Sequence, residues 1–521
     1  MSTARLGTIT GWVFVVLFVL TCFYFGFLSA QTALTDPDTC WLVTLGERIT
    51  KAGIPSSDPY SWTLATSGAV AQGQSKYIAY QWLSATIIAT IFQLGGATAL
   101  LYLTALTVCS SFIVVPLIAA RTLALPLWPI ALGAATALSA GSFHFPCRPE
   151  IFSYLLLALL IMALSQISLL NSYFSRVPIY SYTLVGIVLF ALWANLHTGF
   201  VVGLIVLAVA ALTERSKPLL LLLLGALPGT LLTPFGSALW QYLPHLFFSQ
   251  ANKYNVELLP LRAIELFSLE YLSFDLILVA IGLAWLDEIR AWIGSRGLTE
   301  KNAQISLSNL SWLILSTFAL FMAMQCRRLV PFACLMAMGY LYRFLRQGKD
   351  QPQTSGFIQA VEKVPQMLLQ RTKNLIILLP LVLTALGVSN ACSVFPAALP
   401  QDTYALFEPK AALQLIAGGR PKGKLLNDPQ FGDLMLLNFK DQAQVFIDTR
   451  FDIYGDQLVL DYWKMANARG NWQELLKQYQ IDWLFFPPRA PVVHRLLNDP
   501  NWQLLHRDNT AVILTRRSGF E

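Results

Sequence analysis

The chain has 521 residues, of which 55% are hydrophobic and only 12% are charged, and its mean hydropathy is +0.55. Soluble globular proteins usually carry about 25% charged residues, so this composition excludes an ordinary soluble protein and indicates an integral membrane protein. The net charge of +7 comes entirely from residues 1–400, since residues 401–521 hold 14 basic and 14 acidic side chains; this distribution is typical of basic cytoplasmic loops and gives no support for nucleic-acid binding.

Apolar runs of bilayer-spanning length recur through residues 1–398 and predict an all-α polytopic membrane domain with about eleven transmembrane helices. The predicted spans are residues 11–30, 97–119, 124–142, 151–170, 180–196, 199–213, 218–235, 271–286, 305–325, 329–342 and 374–392. The first run is too long for a signal-peptide core and is interpreted as a retained anchor. With a cytoplasmic N-terminus, most Lys and Arg residues fall in inner loops, as the positive-inside rule requires.

The first outer loop, residues 31–96, is unusually acidic for this chain, because it carries Asp36, Asp38, Glu47 and Asp58. Residues 38–51 are predicted to form a short helix capped by Asp36 or Asp38. Two carboxylates exceed what one cap requires, and carboxylates at the mouth of a membrane helix tend to be functional. Asp36 and Asp38 are therefore candidate catalytic bases, whereas Asp58 is either a turn residue before a proline or a substrate-binding residue.

Arg148, Glu150, His197, Arg327 and Arg328 stand at the predicted outer ends of different helices and form a candidate substrate-binding or phosphate-binding set. Guanidinium groups suit a phosphate, and two of these arginines lie outside against the positive-inside bias. The alternatives are that Arg148 pairs with Glu150 as a structural lock and that His197 is a buried structural histidine. No cysteine or histidine spacing predicts a metal site; a divalent metal remains possible, and no cofactor is predicted.

Residues 399–521 differ from the rest of the chain and predict a periplasmic, soluble α/β domain. Strand-like segments alternate with helix-like segments, which favours a largely parallel sheet. The predicted strands are residues 423–426, 444–447, 483–486 and 511–514, and the predicted helices are residues 431–438 and 472–479. Within FIDTRFDIYGD, the charged residues Asp448, Arg450 and Asp452 follow a predicted strand, and we interpret them as an ion-paired loop rather than a ligand site.

Several segments resemble a family of bacterial polytopic proteins that shares the fold of the GT-C superfamily, which includes protein O-mannosyltransferases and the lipid A aminoarabinose transferase. These segments are DPDTCWLVTLGERITKAGIPSSDPYSWT, RPEIFSY, WANLHTGF, LLTPFGSALW, CRRLVPF and FIDTRFDIYGD. The resemblance implies an inverting glycosyltransferase at the outer face of the bacterial inner membrane. It implies a polyprenyl-phosphate-linked sugar donor, a lipid or glycan acceptor, and a catalytic carboxylate in the first outer loop, at Asp36 or Asp38.

One departure from that family pattern concerns the segment before Trp82. Such relatives often have His-Glu before Trp-Leu, whereas this chain has Tyr80 and Gln81, so any acidic role at position 81 is lost. Two other function classes therefore stay open. A transporter or flippase of an anionic lipid-linked substrate would use the same charged residues without chemistry, and a non-enzymatic membrane assembly subunit would use the C-terminal domain for docking.

Overall fold

The structure is a computed structural model that describes residues 36–66, 77–123, 125, 127–167, 178–262, 265–266, 268, 271–294, 300–350 and 409–517. The α-helices, in chain order, are α1 (Pro37–Ala52), α2 (Trp62–Thr66), α3 (Trp82–Cys109), α4 (Val115–Thr122), α5 (Leu127–Gly141), α6 (Glu150–Ile167), α7 (Tyr180–Leu196), α8 (Phe200–Glu214), α9 (Lys217–Gly229), α10 (Ser237–Phe248), α11 (Leu272–Gly294), α12 (Glu300–Gln325), α13 (Val330–Asp350), α14 (Lys410–Gly418), α15 (Pro429–Phe439), α16 (Phe451–Tyr454), α17 (Asp456–Ala466), α18 (Trp472–Gln478) and α19 (Pro491–Leu496). The strands are β1 (Lys424–Asn427), β2 (Ile481–Phe486), β3 (Trp502–Arg507) and β4 (Val512–Arg516).

The chain divides into two compact units. The first unit contains Thr98–Pro234 and the chain from Glu257 through α13, and its described elements are helical. The second unit contains the first outer loop through Ala97, Phe235–Val256 and the C-terminal residues 409–517. The predicted spans at residues 11–30 and 374–392 lie outside the described residues.

One helical stretch in the described residues, Trp82–Thr122, is long and apolar enough to cross a membrane. It is interrupted at Gly95 and Gly96, where the backbone leaves the helical region, and it passes through a π-helical turn at Ser110–Val114. Shorter apolar helices cover Glu150–Gln166, Tyr180–Leu196, Phe200–Glu214, Lys217–Gly229 and Leu310–Gln325. Helices therefore occupy the predicted apolar runs that the structure describes, but eleven membrane crossings are not confirmed.

Within the first unit, α7 and α9 pack against each other through glycines. A Cβ atom on Gly225 would lie 2.1 Å from the Thr183 carbonyl oxygen, and one on Gly186 would lie 2.2 Å from that of Leu222. These distances leave no room for a side chain, so the two backbones are in direct contact. Small residues at such positions allow the close helix packing that is common in membrane bundles.

The second unit contains a four-stranded sheet with the strand order β1-β2-β4-β3. Strands β1 and β2 are parallel, whereas β2 with β4 and β3 with β4 are antiparallel. The prediction of a largely parallel sheet is therefore wrong, because β3 and β4 form an antiparallel pair after β2. The sequence pattern predicts a strand at residues 511–514 but none at Trp502–Arg507, so it gives no sign of this pairing.

The predicted strand at residues 444–447 is also wrong. Val445 makes only an isolated bridge with Ser61. The side chain of Asn427 occupies the neighbouring backbone groups: it accepts a hydrogen bond from Phe446 N (2.8 Å) and donates one to Ile447 O (2.7 Å). An amide side chain thus satisfies the backbone where a sheet neighbour was expected.

The first outer loop belongs to the hydrophobic core of the second unit. Trp62 lies in the same core cluster as the buried residues of the C-terminal sheet, and its indole N–H donates to Leu425 O (3.1 Å). Helix α1 starts one residue before its predicted bound and buries the predicted apolar face of Trp41, Leu42, Leu45 and Ile49. It packs on α15, so the loop is held by both apolar burial and backbone pairing.

Candidate functional site

The first unit gathers polar side chains at helix termini. The 3-10 turn that follows α5 ends at His144, α6 begins at Glu150, α7 ends just before His197, and the turn with Arg327 and Arg328 joins α12 to α13. Each of these positions follows the end of one helix or begins the next. Glu150 contacts both Arg328 and His197, so these termini are neighbours in space.

Three ion pairs connect the arginines to glutamates. Arg148 forms a bidentate pair with Glu257, with Nη1–Oε2 and Nη2–Oε1 distances of 2.6 and 3.0 Å. Arg327 Nη2 contacts both carboxylate oxygens of Glu265, at 2.8 and 2.7 Å. The third pair joins Arg328 to Glu150.

The charges of this group, which we call the arginine cluster, balance. Its three guanidinium groups belong to Arg148, Arg327 and Arg328, and its three carboxylates belong to Glu150, Glu257 and Glu265. Arg148 takes its bidentate partner from another segment, because Glu257 lies 109 positions later in the chain. The Arg148–Glu150 lock stays a prediction. A phosphate entering this cluster would compete with carboxylates for guanidinium N–H groups.

His197 is a buried neutral imidazole beside the cluster. Its Nδ1 accepts a hydrogen bond from Gly199 N (3.0 Å) and lies 2.9 Å from the Ser153 hydroxyl. The proton therefore belongs on Nε2, which lies 3.9 Å from a carboxylate oxygen of Glu150. Burial lowers the pKa of His197 to about 3, so this residue contributes a directed N–H group and no positive charge at neutral pH.

His144 is a second buried histidine at these helix ends. Burial lowers its pKa well below the usual value, and the nearby positive charges of Arg148 and Arg328 lower it further. Its Nε2 atom is buried and has no hydrogen-bond partner among the residues that the structure describes. The same holds for Arg327 Nε. The cluster therefore retains polar atoms that its internal ion pairs do not satisfy.

In the second unit, Asp36 and Asp38 lie at the start of α1. Asp36 occupies the N-cap position, but its side chain makes no capping hydrogen bond. Asp38 lies in the first turn, half-buried, and its carboxylate accepts a hydrogen bond from the Thr449 hydroxyl. A helix N-terminus favours a nearby negative charge, so the first turn of α1 is a suitable place for the Asp38 carboxylate.

Arg450 is the buried cation of this unit. Its guanidinium group lies 2.8 Å from Asp58 Oδ1 and 3.0 Å, through Nε, from Asp448 Oδ1. The ring centroids of Trp41 and Tyr60 lie 5.7 and 5.3 Å from its Cζ atom, within cation–π range. Burial opposes the charge, but Asp448 and Asp58 raise the pKa of Arg450 well above its usual value.

Asp58 has partners within the protein. Besides the ion pair with Arg450, its Oδ2 atom accepts hydrogen bonds from Tyr60 N (3.3 Å) and Ser61 N (2.8 Å). The turn role that its proline neighbour suggested is therefore present, and a substrate-binding role for Asp58 stays a prediction. The ion-paired loop is present as well, because Tyr454 OH donates to Asp448 Oδ2 at 2.8 Å.

Asp433 is a residue that the sequence analysis missed. It lies on α15, its side chain is fully buried, and neither carboxyl oxygen has a hydrogen-bond partner of good geometry in the described part of the chain. Burial raises its pKa well above the usual value, and Asp448 and Asp38 raise it further, whereas Thr449 and Arg450 act in the opposite direction. One feature of the sequence could have identified Asp433 as a buried acid: it lies three residues before Leu436, on an otherwise apolar helix face.

The predicted site residues thus fall into two groups. The first unit brings together Arg148, Glu150, His197, Arg327 and Arg328. The second unit contains Asp36, Asp38 and Asp58. Gln81, which replaces the acidic residue of the family pattern, is buried just before α3. Within the described ranges, no three His, Cys, Asp or Glu side chains are grouped so that they could hold a metal ion.

No known family model and no curated protein matches this sequence. Among solved structures, the chain is similar to the arabinofuranosyltransferase AftD from Mycobacteria, with 14% sequence identity and a TM-score of 0.42. The match covers 94% of this chain and 39% of that protein, so the chain spans about two fifths of the length of its structural neighbour. A similarity at this level carries no argument about fold or activity.

Proposed function

We propose that this protein is a membrane glycosyltransferase that moves a sugar from a polyprenyl-phosphate donor to a lipid or glycan acceptor on the outer face of the bacterial inner membrane. The observation that carries the proposal is the arginine cluster, in which three guanidinium groups and a buried histidine meet at the ends of apolar helices. Guanidinium groups at membrane depth are costly and are usually functional. The apolar composition and the family resemblance of the sequence point in the same direction.

The proposed reaction is a single displacement with inversion. The acceptor hydroxyl oxygen forms a bond to the anomeric carbon as the bond from that carbon to the phosphate oxygen breaks. The hydroxyl proton passes to the carboxylate of Asp36 or Asp38, which acts as general base. The polyprenyl phosphate leaves with the bonding electron pair, and Arg148, Arg327 and Arg328 stabilise the developing negative charge. Since each of these three guanidinium groups is paired with a glutamate before the donor binds, the phosphate must take over N–H groups that now face glutamates.

The test is sugar transfer by the purified, reconstituted protein, offered radiolabelled polyprenyl-phosphate sugars together with a membrane glycolipid extract as acceptor. Replacing a general base typically lowers the rate by about 10²–10⁴-fold, so we expect that loss in Asp36→Asn or in Asp38→Asn. Asp441→Asn is the matched control, because this carboxylate is exposed and pairs with Arg48 in the same unit.

The outcomes separate the function classes. If the double variant Asp36→Asn, Asp38→Asn transfers sugar as fast as the parent, the proposed mechanism is wrong. If the labelled lipid crosses proteoliposomes without covalent change, the protein is a flippase and the transferase proposal fails. Arg328→Gln should weaken donor binding, whereas Arg469→Gln, at an exposed position of the C-terminal residues, should leave it unchanged.

A further inference from the structure

A surface pocket among the C-terminal residues is lined by cations. The pocket has a volume of about 460 Å³ and opens to solvent, and its lining residues are Arg489, Pro491, His494, Arg495 and Asn498. Among the described residues, no carboxylate lines it. The proposed glycosyl transfer uses none of these side chains.

The local sequence explains why the polar side chains face outward. Helix α19 buries Val492, Val493 and Leu496 in the core of the second unit. A helix that buries one face presents the other face to solvent, and His494 and Arg495 are accordingly exposed. The pocket is therefore formed by the outer face of α19 and the residues that flank it.

The backbone on both sides of α19 is fixed by hydrogen bonds. The Pro487 carbonyl oxygen accepts a hydrogen bond from Ala490 N at 3.1 Å, which closes the turn that carries Arg489. After the helix, the Asn498 side-chain amide donates to the His494 carbonyl oxygen at 3.1 Å. A ligand would thus meet a site whose backbone is already ordered.

The two guanidinium groups of the pocket differ from those of the arginine cluster, because no carboxylate neutralises them. Arg489 and Arg495 form no ion pair with any residue that the structure describes. The nearest acid in the sequence, Asp499, instead accepts hydrogen bonds from the backbone and side-chain N–H groups of Asn501, at 2.9 and 3.0 Å.

The surrounding sequence has the same positive charge. Residues 487–517 contain five arginines and two aspartates, a net charge of +3, whereas residues 401–521 as a whole are neutral. Positive charge is therefore concentrated in the part of the sequence that forms the pocket. A concave surface of one sign of charge raises the local concentration of ligands of the opposite sign.

We propose that this pocket binds a phosphate group. Guanidinium groups donate paired N–H groups that match the oxygens of a phosphate, and the His494 imidazole and Asn498 amide are further N–H donors. The volume is in the usual range of small-molecule sites and leaves room for the group that carries the phosphate. The phosphate is either a free or soluble phosphate or the headgroup of an anionic lipid, and the recognition chemistry is the same for both.

The test is protection of arginine side chains from phenylglyoxal, which modifies exposed guanidinium groups, in the full-length protein in a phosphate-free detergent. Mass spectrometry of the digested protein reads each arginine separately, so phosphate bound at the arginine cluster does not affect the result. We expect inorganic phosphate to slow the modification of Arg489 and Arg495 in a saturable way. Arg469 is exposed and lies outside the pocket, so its modification should stay unchanged. Acetate at the same ionic strength controls for screening and should not protect.

A substitution tests whether the two arginines share one phosphate. Arg495→Gln should raise the phosphate concentration that half-protects Arg489 by about 10–100-fold, the loss expected for a hydrogen bond between charged groups. Lys422→Gln is the matched control, because it removes one exposed positive charge elsewhere in the second unit and should leave the protection unchanged. Both substituted side chains are exposed, so neither change disturbs the core.

A second arm identifies the source of the phosphate. The protein is reconstituted, without free phosphate, in vesicles of phosphatidylcholine or of equal parts phosphatidylcholine and phosphatidylglycerol. Protection of Arg489 in the mixed vesicles alone assigns the pocket to an anionic lipid headgroup, and protection by inorganic phosphate alone assigns it to a soluble phosphate.

Three results would overturn the proposal. They are the absence of protection by both phosphate sources, equal protection by acetate, and unchanged half-protection of Arg489 in Arg495→Gln. All of these measurements are independent of sugar transfer, so the pocket and the proposed function can fail separately.

Discussion

At the scale of single residues, the two units compensate their buried charges in different ways. The arginine cluster pairs each guanidinium group with a glutamate, at 25–32% side-chain exposure for Glu257 and Glu265. In the second unit, one cation, Arg450, serves two carboxylates at side-chain exposures of 4% or less. Removing one partner of a buried ion pair leaves an uncompensated charge. Substitution of Arg450 should therefore lower the free energy of unfolding more than substitution of any arginine in the cluster.

The first residue-scale prediction is that Arg450→Gln destabilises the protein by about 3–5 kcal/mol, because Asp448 and Asp58 lose their common partner. Lys440→Gln is the control: Lys440 pairs with Glu47, but its side chain is 53% exposed, and exposed pairs contribute about 0–1 kcal/mol. Denaturant unfolding followed by tryptophan fluorescence measures the loss of stability in both variants. Equal losses in the two variants would contradict the assignment of Arg450 as the buried cation of this unit.

The second residue-scale prediction concerns Asp433→Asn and pH. The pKa of Asp433 is raised in the folded protein, so above its ordinary value of 3.8 the unfolded chain ionises while the folded chain keeps its proton. The parent therefore loses stability, relative to the asparagine variant, by about 1.4 kcal/mol per pH unit in that range, until the folded group ionises. We expect Asp433→Asn to be the more stable protein at pH 7.

The same comparison near pH 3 supplies the control for that prediction. There the unfolded aspartate is also largely protonated, so the advantage of Asp433→Asn should nearly vanish. Unfolding midpoints of both proteins, measured across this pH range, test how their difference in stability changes with pH. A constant difference between the two proteins at all pH values would show that the effect of the substitution is not electrostatic.

At the scale of elements, the sequence was informative wherever apolar residues followed a single period. Helix α1, the apolar runs of the first unit and the strand at Trp483–Phe486 all appear at the predicted positions. The segment at residues 444–447 has the same local pattern as a strand, but the Asn427 side chain takes its backbone partners. That contact joins positions far apart in sequence, so no local window reveals it.

In the candidate site, too, the sequence predicts some residues and misses those that depend on contacts distant in the chain. Clustered arginines could be predicted because they interrupt apolar runs, whereas their true partners, Glu257 and Glu265, lie in irregular segments with no periodic signal. Asp433 was missed because a single acid on an amphipathic helix usually faces water. Asp433 is nevertheless fully buried, and α1 is one of the elements that pack on its helix.

A prediction at this scale addresses the contact between α7 and α9. Gly225→Ala places a Cβ atom against the Thr183 backbone, which forces the helices apart and should destabilise the protein by about 1–3 kcal/mol. Gly282→Ala in α11 is the matched control, because a Cβ atom there meets nothing within 4 Å and alanine favours helix. Thermal unfolding in detergent should show a lower midpoint for the first variant only.

At the scale of the whole molecule, the second unit is assembled from three separated stretches of chain. Helix α10 is fastened to the C-terminal residues by hydrogen bonds from Tyr242 to Asp452 and from Ser249 to Asp456, both at 2.6 Å. Trp62 and Ala251 belong to one core with the C-terminal sheet. If the C-terminal residues lie outside the membrane, the first outer loop must therefore lie on the same side.

The shared core of the first outer loop and the C-terminal residues predicts the result of a labelling experiment in intact cells. A cysteine at position 56, in the first outer loop, should react with a membrane-impermeant maleimide from outside, because Ser56 is exposed. A cysteine at position 217, the first residue of α9, should react only after permeabilisation, as the positive-inside rule requires. The parent protein controls for its native thiols. Equal external labelling at both positions would refute the proposed orientation.

The pairing of the first outer loop with the C-terminal residues also sets an order of events during synthesis. The Ser61 hydroxyl contacts Tyr454, which is made 393 positions later. At roughly 5–20 residues per second, the ribosome needs on the order of tens of seconds to reach that partner. Throughout this interval the nascent loop carries Trp62 without the core that will cover it, and it is a natural substrate for a chaperone.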